Sequence, residues 1–309
     1  MYAVIGTNSW GGAIYEKLLR GSSVDKETLK AAIDTALKNK MFIFDTAANY
    51  GFGKSQKIIG ELCSKEIELS AKSTSPKKYK RGQVRAELEK TLLDTRRSYA
   101  EVYWLHLPLY IEENLTEMAE LYREGKIHNI GISNVNIDEA KRANTVLHNA
   151  NIPLFGVQNH YSLLAREWEQ NGLFSWCREN NVEFWAWAVL EEGLLVPPKK
   201  QDNSSALKTL YNGKRKKLAP LYDKLEHIGK IYNITAQQTA IAFCSSKGIV
   251  PVCGCRKPYQ VEQLFEAAKV YLSETEIKEL EIAADNTGVK IMGADMFRFM
   301  VMKLSEDVY

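Results

Sequence analysis

The chain has 309 residues, 45% hydrophobic and 26% charged, with a net charge of +3. This is the composition of an ordinary globular protein; it excludes disordered, collagenous and coiled-coil chains, and the charge is too small for a protein that coats nucleic acid. Five cysteines, Cys63, Cys177, Cys244, Cys253 and Cys255, include no C-x-x-C pair, which argues against a disulfide framework or a structural zinc site.

In chain order, short apolar runs rich in β-branched and aromatic residues predict strands at 2–6, 41–44, 67–71, 101–105, 127–132, 152–157, 182–187 and 248–252. Amphipathic stretches between them predict helices at 26–38, 53–63, 82–99, 112–123, 137–149, 168–180, 217–232 and 236–246. Asn136 or Asp138 opens the fifth helix, and Ser273 with Glu276 makes a capping box for a late one. Repeated β-then-helix units imply a parallel sheet with right-handed crossovers, either closed or doubly wound.

The placement of polar residues favours closure. Asp45 follows the second strand, Lys72 the third, His106 the fourth, Ser133 and Asn134 the fifth, Gln158 the sixth, and 253–256 the eighth. Reactive residues at the carboxyl ends of many different strands are the pattern of a barrel. The expected fold is an α/β class single (β/α)8 TIM barrel, one domain over 1–309, with the barrel in 1–270 and a C-terminal helix and tail in 271–309. The opening residues lack the basic and apolar regions of a signal peptide, and no apolar run reaches the roughly 18 residues of a membrane helix. A cytoplasmic protein with no membrane or nucleic-acid partner is expected.

Two motifs fail. In the run Gly51-Phe52-Gly53-Lys54-Ser55 the first glycine of a P-loop is replaced by Ala48, and in Gly131-Ile132-Ser133-Asn134-Val135 the second glycine of a nucleophile elbow is Val135. What remains is a proton-handling set on successive loops: Asp45 with Tyr50, then Lys72, then His106. An ammonium close to a tyrosine favours the phenolate, so the phenol becomes a usable acid near neutrality. Asp45 would keep Lys72 charged, and His106 would orient a carbonyl oxygen or share its proton. Two segments stand apart: the basic stretch 196–217, a solvated loop or a lid over an anionic ligand, and the Met- and Phe-rich tail 285–309, read chiefly as packing.

Several separate motifs resemble the aldo-keto reductase family, from Gly6 to about Ala268. They are the first loop Gly6 to Gly12; the element Phe44-Asp45-Thr46-Ala47-Ala48-Asn49-Tyr50-Gly51; the turn Leu105-His106-Leu107-Pro108; and Gly131-Ile132-Ser133-Asn134. The resemblance implies a metal-free, NADP(H)-dependent enzyme, with NADH a poorer cofactor, that reduces a small-molecule aldehyde or ketone. Its tetrad would be Asp45, Tyr50, Lys72 and His106, with Tyr50 the general acid. It further implies cofactor contacts from Gly6, Thr7 and Asn8; from Ser133, Asn134 and Gln158 to the nicotinamide carboxamide; and from Trp187, in place of a usual tyrosine, by stacking. Leu190, Gly193 and Leu195 would follow the pyrophosphate, and Gly254, Arg256, Lys257 and Gln260 the adenosine phosphate. Trp10, Tyr50 and His106 would meet the substrate. Val189 and Leu264 stand where the family usually has proline and asparagine. A nucleotide-binding regulatory subunit, or a sugar or alcohol dehydrogenase running the reverse reaction, are the alternatives; oligomeric state is open.

Overall fold

A computed structural model describes residues 2–11, 23–74, 78–198 and 206–291. Gly12 of the first-loop motif, residues 199–205 of the basic stretch, and the tail residues Met292, Met296, Phe297, Phe299, Met300 and Met302 lie outside the described residues. Eight strands follow one another in chain order around a closed barrel, as expected for a (β/α)8 fold. They are β1 (Val4–Gly6), β2 (Ile43–Asp45), β3 (Glu68–Ser73), β4 (Ala100–Leu105), β5 (Ile127–Ser133), β6 (Gly156–His160), β7 (Glu183–Trp187) and β8 (Val250–Gly254). The described helices are α1 (Lys26–Lys38), α2 (Lys54–Leu62), α3 (Gln83–Thr95), α4 (Ile111–Arg123), α5 (Ile137–Asn149), α6 (Glu167–Gln170), α7 (Leu173–Glu179), α8 (Ala206–Lys217), α9 (Ala219–Ile231), α10 (Ala236–Ser246), α11 (Pro258–Ala267) and α12 (Glu274–Asn286).

The chain divides into two compact units. The first gathers β1, α1, the segment 161–166 and the described chain from Ala186 to Ile291; in it β1 pairs in parallel with β8, Gly6 opposite Gly254. The second gathers residues 42–160 and 167–185, in which β2 to β6 pair successively in parallel.

Local chemistry explains where helices begin. Asp25 accepts the N–H of Thr28 at 2.7 Å and opens α1. Reciprocal capping boxes open α5 with Asn136 and Glu139, α10 with Thr235 and Gln238, and α12 with Ser273 and Glu276. Each satisfies two backbone donors left free by the helix start.

Part of the basic stretch 196–217, expected as a loop or lid, is helix α8, because 206–217 has no proline or other helix breaker except Gly213, and several boundaries differ from the sequence expectation. The third helix stops at Thr95 because Arg96 turns left-handed at φ 55° and returns its N–H to Leu92 and Leu93. The stretch 168–180 breaks into α6 and α7 at Gly172, with φ 86°. The run 152–157 is mostly not strand: Asn151 is left-handed at φ 57°, and the N–H of Ile152 closes α5 on Leu147 O at 2.9 Å. Ile152 and Leu154 are buried, but as the apolar seal of a helix end, and β6 begins only at Gly156.

The interior of the second unit is aromatic. Trp104, fully buried, lies 5.0 Å from Trp185 and 5.9 Å from Phe155 between ring centroids, and Phe155 meets Trp185 edge to face at 5.9 Å. Such pairs contribute about 0.5–1.5 kcal/mol each beyond the area they bury. The indole fits because its two neighbours on β5 and β6 have no side chains. A Cβ on Gly131 would overlap the six-membered ring of Trp104 and lie 2.9 Å from its Cδ2, and one on Gly156 would lie 3.2 Å from its Cη2. Gly131→Ala is therefore expected to destabilise the fold by about 1–3 kcal/mol by overpacking. Urea unfolding followed by tryptophan fluorescence measures it.

Candidate active site

All four residues of the predicted tetrad fall in the second unit, and the structure gathers them. Parallel pairing sets Asp45 opposite Ser70 and Lys72 opposite Trp104. The period of two along β3 turns Ser70 and Lys72 to one face. Lys72 and Asp45 form an ion pair with 1% and 3% of their side chains exposed. Lys72 also donates to Thr46 O at 3.3 Å, and Asp45 Oδ1 accepts from Ser70 Oγ at 2.7 Å and from Gln158 Nε2 at 3.1 Å.

Tyr50 arrives from a single 3-10 turn, Tyr50–Gly53, directly after β2. Its hydroxyl is hydrogen-bonded to Lys72, whose ammonium lies 5.2 Å from the Tyr50 ring centroid. His106, on the turn after β4, meets the Tyr50 ring edge to face at 6.4 Å. Burial alone would pull the Lys72 ammonium down, but Asp45 and then Tyr50 outweigh it, and Lys72 is held above its usual range. His106 is pulled down to about 3, first by burial and then by the Lys72 charge, so it is a neutral imidazole at physiological pH.

The residues expected at the carboxamide sit against this set. Ser133 Oγ donates to Gln158 O at 2.6 Å; Asn134, left-handed at φ 60°, donates through Nδ2 to His106 O at 3.0 Å and to Ser133 Oγ at 3.1 Å. One hydrogen-bonded network thus joins Ser133, Asn134 and Gln158 to Asp45. Sequence reading did not single out Ser70 or Trp104; the signal available was a lone hydroxyl two residues before Lys72 on an apolar strand.

The first unit carries the other expected cofactor residues. Gly6 and Thr7 lie at the end of β1, and Asn8 is exposed beyond them. Trp10 is buried, with its indole N–H on Cys255 O at 2.8 Å. Leu190 O accepts the N–H groups of Gly193 and Leu195 at 2.9 and 3.1 Å, a turn that needs φ 90° at Gly193. Arg215 Nη2 pins that turn through Gly193 O at 3.2 Å and Tyr222 pins it through Leu194 O at 2.7 Å, which gives the end of the basic segment a positional role. Trp187 is half-buried, and its carbonyl accepts from Tyr161 N at 3.2 Å. Gln260 Oε1 accepts the N–H groups of Arg256 and Lys257 at 2.8 and 3.1 Å, fixing the backbone that carries both cations.

The donor set suits a dinucleotide. Ser9 Oγ is buried and has no hydrogen-bond partner, and it faces Gly254, whose Cβ, if present, would lie 3.5 Å from it. A buried hydroxyl left waiting beside a bare backbone fits a polar ligand passing between them. The thiols of Cys253 and Cys255 are pushed up by burial, Cys253 to about 12, and no group of three metal-ligating residues occurs among the described residues.

Comparison with known proteins agrees with this geometry. The model of the aldo/keto reductase family matches residues 4–285, and the chain belongs to that family. It is 26% identical over 308 residues to an aldo-keto reductase of Bacillus subtilis, covering 92% of this chain and 88% of that protein. It is 28% identical to the chloroplastic pyridoxal reductase of Arabidopsis thaliana, covering 90% and 82% of the two chains, and 28% identical to an NADP(+) aldo-keto reductase of Schizosaccharomyces pombe, covering 85% and 84%. Among solved structures, a glycerol dehydrogenase of Gluconobacter oxydans shares the fold with a TM-score of 0.77 at 21% identity, covering 94% of this chain and 93% of its own. An aldo-keto reductase of Klebsiella pneumoniae, solved with NADPH, does so with 0.71 at 20%, covering 91% and 90%. The chain is an oxidoreductase of this family.

The position of His106 has a measurable consequence. An unfolded histidine titrates near 6.5 and the native one near 3, so between these values the unfolded state binds a proton that the native state refuses. Stability is unaffected by this group above the unfolded value and falls as pH drops through the window. His106→Gln is expected to flatten the fall of Tm between about pH 6 and pH 4 relative to wild type, read by scanning calorimetry.

Proposed function

We propose that the chain reduces an aldehyde or ketone to the alcohol with NADPH, as a single-domain barrel enzyme acting on a small-molecule substrate. The observation that carries this reading is the buried Asp45–Lys72 pair with the Tyr50 hydroxyl on Lys72 and a neutral His106 beside it.

Asp45 holds Lys72 protonated in a site closed to water. Lys72 in turn favours the phenolate of Tyr50, which is the state left when Tyr50 has given its proton to the carbonyl oxygen. This is charge stabilisation placed where charge develops. His106, uncharged, donates a hydrogen bond that orients the carbonyl without competing as an acid. Ser133, Asn134 and Gln158 supply the paired donor and acceptor groups that a carboxamide needs. Gly193 and its neighbours would follow the pyrophosphate, with Trp187 against the nicotinamide ring. Arg256 and Lys257 would hold the phosphate that distinguishes NADPH from NADH; an Arg binds such a group bidentately. The bound dinucleotide supplies the hydride. The NADP(+) name of the fission yeast relative and the NADPH in the Klebsiella structure support this choice of cofactor.

Tyr50→Phe is expected to lower kcat on a carbonyl panel by about a hundredfold or more while NADPH still quenches tryptophan fluorescence. Wild-type turnover in that variant overturns the assignment of the acid. Arg256→Ala is expected to raise KM for NADPH by about tenfold or more with little change for NADH, in steady-state kinetics with each nucleotide.

A further inference from the structure

Below the tetrad, a hydrogen-bonded chain runs across three strands of the second unit. Trp104 Nε1 on β4 donates to Ser70 Oγ on β3 at 2.8 Å, and Ser70 Oγ donates to Asp45 Oδ1 on β2 at 2.7 Å. All three residues are buried. We propose that Trp104 and Ser70 are positioning residues for catalysis, a relay that fixes the charge distribution on Asp45 and through it the proton affinity of Tyr50. This rests on Tyr50 as the proton donor.

The polarity of the relay follows from donor chemistry. An indole N–H is a donor only, so the oxygen of Ser70 must act as its acceptor. The single hydroxyl proton of Ser70 then points to Asp45. A free serine rotor would have no such preference, and Trp104 removes the choice. The indole is itself immobile, since Gly131 and Gly156 admit it and Trp185 and Phe155 pack its faces and edge.

Hydrogen bonds donated to a carboxylate stabilise its charge and spread it away from neighbouring groups. Within this unit, the titratable groups facing Asp45 and Tyr50 among the described residues are Lys72 from β3 and His106 from the turn after β4. The ends of β5 and β6 present Ser133, Asn134 and Gln158, which carry no charge, and β6 closes on the buried imidazole of His160, two residues beyond Gln158 on the same strand face. Without the Ser70 proton, Asp45 bears more concentrated charge on the side of Lys72. Its field on Tyr50 becomes more negative, and it claims more of the Lys72 proton. Both changes make the Tyr50 phenolate harder to form, so they act with one sign.

The test is the pH dependence of alcohol oxidation with NADP+, which requires the Tyr50 phenolate, compared between wild type and Ser70→Ala. The acid limb is expected to move up by about half a pH unit or more, so that the rate on that limb falls about threefold or more, while KM for the nucleotide is unchanged. Trp104→Phe, which keeps an aromatic ring in place and removes the N–H, should move the limb the same way by less. The double variant should move it no further than Ser70→Ala, because the two residues act through one chain. A merely structural role would lower Tm or kcat in all three with the limb unmoved, and that result overturns the proposal. If Ser70→Ala does not fold, Trp104→Phe carries the same criterion. An ultraviolet titration of Tyr50, taken as the difference between each protein and its Tyr50→Phe counterpart, reads the same ionisation without turnover. A wild type inactive on every carbonyl and alcohol sinks the carbonyl-reductase reading, while the titration still decides the relay: an upward midpoint in Ser70→Ala supports it and an unmoved one overturns it.

Discussion

Two opposite charges, Lys72 and Asp45, lie almost wholly out of water, and the organisation of the second unit follows from what that requires. Desolvating a pair of ions costs several kcal/mol per ion, and their attraction repays this only if the remaining lone pairs and protons also find partners. Here they do: Asp45 receives Ser70 and Gln158 in addition to Lys72, and Lys72 reaches Thr46 O as well as Asp45 and Tyr50. These partners come from β3, from β6 and from the segment that follows β2. The pair therefore constrains β2, β3 and β6 together, and a shift of any one would leave a buried charge exposed to no compensating group.

The same pair sets the chemistry. A fixed ammonium beside a phenol lowers the cost of a phenolate, and burial, reinforced by the same ammonium, keeps the neighbouring imidazole uncharged. Two proton-bearing groups side by side are thus pushed into separate roles, one that gives a proton and one that only orients. Beneath them, the buried aromatic cluster carries two indole donors: Trp185 gives its N–H to Glu183 at 2.7 Å, and Trp104 directs its own into the carboxylate network through Ser70. Packing and electrostatics meet in one side chain, which is why the two glycines that make room for it matter to more than volume.

In the first unit the design is different. Its expected cofactor residues are held by backbone geometry: the Leu190 turn closed by Gly193 and Leu195, the amides of Arg256 and Lys257 fixed by Gln260, and the first loop, which carries the buried, unpartnered Ser9 hydroxyl. Main-chain groups fixed in this way suit long, flexible anionic ligands, whose phosphates are recognised by donors and by guanidinium groups more than by apolar shape.

Much of this was legible in the linear sequence because it is local. Apolar periodicity located the helices, and α1, α5 and α10 occupy the predicted residues, since caps such as Asn136 with Glu139 act within four positions. The motif around Asp45 and Tyr50, with Lys72 and His106 each near a strand end, pointed to proton chemistry and to the family. Three strands expected to stop just before Asp45, Lys72 and Ser133 run through them in β2, β3 and β5, because parallel backbone pairing takes no account of side-chain polarity once a polar group has a buried partner. The run 152–157 has the sequence pattern of a strand, since an apolar run that seals a helix end looks the same. What only the tertiary structure decided is which distant residues share a proton network. The Trp104–Ser70–Asp45 chain links positions 34 and 25 residues apart, and no local signal announces it, because the partners meet only through strand register and the space left by Gly131 and Gly156.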